Sequence, residues 1–183
     1  MAAPPPCLDL VNTRYWRGEA QPTETLATPA DLSKWLRGRG ARLPAGGVPR
    51  ATHASVLELR ETMYAVLDAL AVNAAPPPRA VAALNDALAA APARSRLARE
   101  GKALVWEKPR AALTAESILS AELWSAADLA TGPQRARLRR CANPACGWLF
   151  LDESRAAKRL WCFMESCGNR AKARRHYAKH KGD

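Results

Sequence analysis

Four of the five cysteines in this chain fall into two pairs with four residues between partners. Cys141 and Cys146 lie in CANPACGWLF, and Cys162 and Cys167 lie in RLWCFMESCGNR. Fifteen residues separate the pairs. Thiolate sulfur is a soft ligand, and four thiolates in a tetrahedron form the closed coordination that structural zinc takes. The spacing therefore predicts one Zn2+ held by Cys141, Cys146, Cys162 and Cys167. With every position filled by sulfur, none is left to activate a water molecule. A non-catalytic metal is expected, and with it a protein that is not an enzyme. The rest of the sequence agrees: it has no phosphate-cradling glycine loop, no nucleophile elbow and only three histidines, of which His53 stands alone.

Other uses of these cysteines fit less well. No secretory leader is read at the start of the chain, so a cytoplasmic location with reduced thiols is expected and two disulfides are disfavoured. Redox pairs usually have two residues between their cysteines, not four. A mixed site of Cys162, Cys167, His176 and His180 leaves Cys141 and Cys146 without a role. Cys7 lies far from the cluster in sequence and is expected to be a partly buried bystander.

The elements that must position the sulfurs can be read around them. Gly147 follows Cys146 where a left-handed residue would turn backbone amides towards sulfur. Trp148 to Leu151 reads as a strand, Asp152 to Ser154 as a turn, and Arg159 to Trp161 as the returning strand. Gly168 and Asn169 open a helix running to about His180, which places Cys167 at a helix start, where the dipole favours thiolate. Knuckle, hairpin and helix together make a treble-clef-like finger.

CANPACGWLFLDESRAAKRLWCFMESCGNRAKARRHYAKH resembles the CGNR zinc finger, the tetrad here being Cys167-Gly168-Asn169-Arg170. In that family the finger follows a domain called ABATE, described as a stress-induced transcription regulator. The LDLVNT run (Leu8 to Thr13), the DLSKWL segment and a Trp-bearing strand before the last N-terminal helix are similar to it. Where the family usually has a Gly-rich lead, this chain has Pro-Pro-Pro-Cys. The resemblance implies a regulatory protein and a shared role for Asn12 and Thr13 that the residues themselves do not reveal.

The formal charge of +11 is unevenly spread. Met1 to Pro133 holds 15 Lys and Arg against 13 Asp and Glu, a net of +2, whereas Gln134 to Asp183 holds 13 against 4, a net of +9. Zinc with four thiolates carries a net −2, which accounts for only two or three of those cations. Such asymmetry points to a polyanion partner. The leading expectation is DNA binding through the helix after Cys167, with Arg170, Lys172, Arg174, Arg175 and Lys179 as candidate contacts. RNA binding is the alternative, because Trp148, Phe150, Trp161 and Tyr177 lie near basic residues as base stacking needs. A third possibility is an adaptor whose N-terminal domain binds a protein or small ligand. The sequence does not indicate the oligomeric state.

The fold class expected is α+β: a mainly helical N-terminal domain with a small sheet (8–133), then the treble-clef-like finger (134–183). Met1 to Pro6 is expected to be disordered, and Leu8 to Thr13 alternates well enough for a strand. Thr28, Pro29 and Asp31 mark a helix start, with Leu32, Trp35 and Leu36 as its apolar stripe. Val56, Leu59, Met63, Val66, Leu67 and Leu70 mark the central helix, about Ala51 to Asn73. Val81, Leu84 and Leu88 mark a shorter one. Ser95 to Arg99 and Lys102 to Glu107 read as a hairpin, and Thr114 to about Ala130 as a helix ended by Gly132-Pro133. No apolar run reaches the roughly 18 residues of a membrane span.

Overall fold

A computed structural model describes residues 4–94, 96–107 and 114–180, excepting the side chains of 175, 176 and 178–180. Its central element is α3 (Arg50–Ala71), which forms where the apolar spacing predicts. Val56, Leu59, Met63, Val66 and Leu67 are all buried, and Met63 is 0% exposed. Before it, α2 (Pro29–Gly38) starts on the predicted cap. Thr28 Oγ1 accepts the Asp31 amide at 3.2 Å, and the Asp31 carboxylate accepts the Thr28 amide at 2.9 Å.

The start of the chain is not a strand. Pro6–Val11 forms helix α1, which buries Cys7, Leu8, Leu10 and Val11. In so short a run the alternation of Leu8 and Leu10 fits a strand as well as a helix, and Pro6 at the first helical position suits a helix. Pro6 thus belongs to regular structure, and Cys7 is wholly buried, with burial pushing its thiol up to about 11. Met1 to Ala3 lie outside the described residues.

Two short strands follow α1, β1 (Arg14–Tyr15) and β2 (Thr23–Glu24), paired antiparallel. Helix α4 (Pro78–Ala90) buries Leu84 and Ala87, while Val81, expected on that stripe, turns outward. The predicted hairpin forms from β3 (Leu97–Glu100) and β4 (Ala103–Trp106), turning at Gly101. Ser95, at its expected start, lies outside the described residues. Leu104 and Trp106 share one face, and both are exposed. The last N-terminal helix is interrupted at Leu119, giving α5 (Ala115–Ile118) and α6 (Ser120–Thr131).

Helices α1, α4, α5 and α6 pack around α3. Their core is continuous with Leu138 and Leu149, which lie beyond the Gly132-Pro133 break. Within it, Arg60 is 1% exposed. Its guanidinium bonds Glu24 at 2.7 and 2.6 Å, Glu61 at 2.9 Å and the Thr13 hydroxyl at 3.0 Å. Burial works against the Glu24 carboxylate, but the bonds from Arg60 outweigh it and hold its pKa below the ordinary range. This network fixes the end of α1 and the β1–β2 ribbon on α3. It also gives Thr13 its role. Among the described residues no helix is long and apolar enough to cross a membrane.

Candidate metal centre

The finger begins with β5 (Leu138–Arg140) and β6 (Leu149–Leu151), paired antiparallel with Leu138 opposite Leu151. The Cys141 amide extends the ladder to the Trp148 carbonyl at 2.9 Å. The first cysteine pair therefore sits in the loop of this hairpin. Residues 159–161 form no strand, contrary to expectation. Asp152, fully buried, takes over that segment, accepting the amides of Ser154 at 3.0 Å and Arg159 at 2.8 Å and the Ser154 hydroxyl at 2.5 Å. The arginines before Cys141 look like a linker in sequence. In the fold they flank Leu138, which reaches the core.

The second pair sits on the far side. Met164–Gly168 is a wide helical turn that runs into α7 (Asn169–His180). Cys167 thus lies at a helix start, as the sequence predicts.

All four sulfurs lie within 4.8 Å of one another, and all four residues are buried. Cys162 Sγ is 3.6 Å from the sulfurs of both Cys146 and Cys167. A tetrahedron with Zn–S bonds of about 2.3 Å has edges of about 3.8 Å, so the cluster fits one structural Zn2+. The sulfurs also compete for charge: thiol hydrogen bonds from Cys146 and then Cys162 hold Cys141 well below the ordinary thiol range. The Cys141 sulfur in turn pushes the thiols of Cys146 and Cys162 upward. Four thiolates can share this space only around a cation.

Further donors support the sulfurs. The backbone amides of Asn143 and Trp148 face Cys141 and Cys146. Asn143, 1% exposed, donates its side-chain amide to Cys167 Sγ at 3.5 Å, and its carbonyl accepts Arg174 at 3.3 Å. Gly147 adopts φ +69°, as its position after Cys146 requires. A Cβ there would also lie 2.8 Å from Arg17.

The N-terminal domain holds this knuckle directly. Asn12 clamps β6 at both backbone groups of Leu149, donating to its carbonyl at 2.8 Å and accepting from its amide at 3.0 Å. Tyr64 on α3 donates to the Gly147 carbonyl at 2.8 Å. The amides of Arg17 and Gly18 donate to the carbonyls of Cys146 and Ala145, both at 3.2 Å. Arg170 of the tetrad stacks on Trp16, 4.3 Å from the ring centroid. Asn12→Ala should cost about 2–4 kcal/mol, since it leaves a buried amide and carbonyl unpaired. A denaturant midpoint unchanged from wild type would show the clamp to be idle.

Of the candidate nucleic-acid contacts, Arg170, Lys172 and Arg174 are exposed on α7. Arg175 and Lys179 are helical, but their side chains lie outside the described set, as do those of His176 and His180. The aromatic residues that suggested RNA are mostly engaged in packing. Trp148 makes edge contacts with Tyr15 and Phe163, and Phe150 and Trp161 pack on the cysteines. Tyr177 is exposed. The sequence reading missed Asn143 and Tyr64 as parts of the site. Asn143 lies between the first two cysteines, which was its only signal, while nothing distinguished Tyr64 from other polar positions on α3.

Comparison with known families gives two matches. A sequence model of the family ABATE, described as "Putative stress-induced transcription regulator", matches residues 4–133. A model of the CGNR zinc finger matches residues 137–180. No curated protein matches the chain.

Proposed function

Since the chain belongs to the ABATE family and carries a CGNR zinc finger, we propose that it is a non-enzymatic transcription regulator that binds duplex DNA through the finger. The zinc holds the fold and does no chemistry. The observation carrying this reading is the finger's uncompensated charge. Among the described residues, Arg140 is the one basic residue of 134–180 within ion-pairing distance of a carboxylate, that of Asp68. The finger's other described cations face solvent, hydrogen-bond carbonyl oxygens or stack on aromatic rings, none of which neutralises their charge. A face of that kind suits phosphate.

The contacts proposed are Arg170, Lys172, Arg174, Arg175 and Lys179, in unequal roles. Arg170 and Arg174 are tied to Trp16 and Asn143, so their guanidinium groups are positioned in advance. Lys172 is exposed and suits phosphate. Lys172→Ala should weaken binding to all duplexes alike and lower the slope of log K against log salt by about one. Removing a base-reading arginine should instead relax sequence preference by about 1–3 kcal/mol. Titration of zinc-loaded protein with duplex DNA and structured RNA across salt concentrations tests the proposal. Salt-independent binding, or none, refutes it, and preference for RNA would move the partner to that class.

A further inference from the structure

A groove where the N-terminal domain meets the end of β6 has the opposite character to the basic finger helix. It encloses about 750 Å³ between the β3–β4 hairpin, α6 and the end of β6, within the usual size range of small-ligand sites. Two indoles, Trp106 and Trp124, line it beside Val105 and Leu129. Among the described residues its charged lining is four carboxylates, Glu100, Glu107, Asp128 and Glu153, against one guanidinium, Arg94. In a chain of net charge +11, an acidic aromatic cleft repels nucleic acid and attracts the opposite class of ligand.

Arg94 shows what the cleft accepts. Its guanidinium lies 4.7 Å from the Trp124 ring centroid and 5.6 Å from that of Trp106. Asp128 holds it in a two-pronged ion pair at 2.7 and 2.9 Å. This is a planar cation between aromatic faces with a carboxylate at its edge, the arrangement that binds organic cations. Glu107 pairs with Arg96 at the rim at 3.2 Å. Glu100 and Glu153 make no ion pair among the described residues. Trp106 keeps 49% of its surface exposed.

We propose that this groove binds a lipophilic organic cation, its rings against the indoles and its charge among the lining carboxylates, and that Arg94 is the chain's own competitor for the Trp124–Asp128 end. The groove also touches Leu151, in the strand that Asn12 clamps, and Glu153 beyond it. The proposal does not depend on what the finger binds.

The test is calorimetric titration of the full-length, zinc-loaded protein with tetraphenylphosphonium and with tetraphenylborate, which share a shape and differ in charge. The cation should bind one per chain in the groove, whereas any anion taken up by the basic finger should be indifferent to Trp106→Ala. Trp106→Ala should weaken the cation about tenfold, and Glu100→Gln about threefold. Arg94→Ala should tighten it about fivefold by releasing Asp128 and the Trp124 face. Should Arg94→Ala misfold, Glu100→Gln, an exposed substitution at the hairpin turn, carries the charge test. Failure of the cation to bind, anion binding that Trp106→Ala weakens equally, or cation affinity unchanged in Trp106→Ala overturns the proposal. Weaker or unchanged binding by a folded Arg94→Ala overturns Arg94's place in it.

Discussion

Cys167→Ser should release the zinc and unfold the finger. A serine hydroxyl is a poor ligand for zinc at neutral pH. Among the described residues, the cluster around the four sulfurs adds only Phe150 as a buried apolar side chain, with Trp148, Trp161 and the N-terminal domain's Trp16 packed against it. In so small a module the metal-binding energy, on the order of 10 kcal/mol, is the folding energy. The damage should spread, because Leu138 and Leu149 belong to the same core as the N-terminal helices. Losing the hairpin uncovers the face of α3 that carries Tyr64 and removes the strand held by Asn12. The melting temperature of the whole chain should therefore fall, with elemental analysis showing less than one zinc per chain. Full zinc content with an unchanged melt would contradict both the ligand set and the shared core.

The second large effect is expected at Met63, which is fully buried in the middle of α3. Met63→Asp places a carboxylate among Leu and Val side chains with no cation prepared for it. Arg60, the nearest buried cation in sequence, is already saturated by Glu24, Glu61 and Thr13. An uncompensated buried charge costs about 3–5 kcal/mol, a large share of the roughly 5–15 kcal/mol by which a domain is stable. The variant should be insoluble or lack a cooperative thermal transition by circular dichroism. A soluble, cooperatively melting Met63→Asp protein would show that α3 is not the centre of the domain.

What could be seen in the sequence depended on how local the cause was. The zinc ligands were legible because coordination needs particular atoms at short spacings. The caps of α2 and the stripe of α3 were legible because their period and chemistry sit within one or two turns. Leu8 to Val11 was misread for a physical reason. Cys7, Leu8, Leu10 and Val11 are buried while Asp9 is not, and in so short a run the alternation of Leu8 and Leu10 fits a strand as well as a helix. The return strand was misread because Asp152 satisfies the amides a strand would have paired, and nothing marks a buried aspartate in a turn. Asn12 and Tyr64 act across long separations on backbone atoms of the knuckle, which no spacing reveals. The family resemblance pointed to Asn12 and Thr13 without a mechanism. The fold supplies one for each: a clamp on Leu149 and a hydroxyl on Arg60.

The claim on which the rest stands is a closed, all-sulfur zinc site that shapes the finger and leaves no position for catalysis. X-ray absorption at the zinc edge of the purified protein tests it most directly. Four sulfur neighbours at about 2.3 Å, and no lighter scatterer, are predicted. One or more nitrogen or oxygen neighbours at about 2.0–2.1 Å would contradict it, by bringing in a histidine or a water and reopening the question of chemistry at the metal.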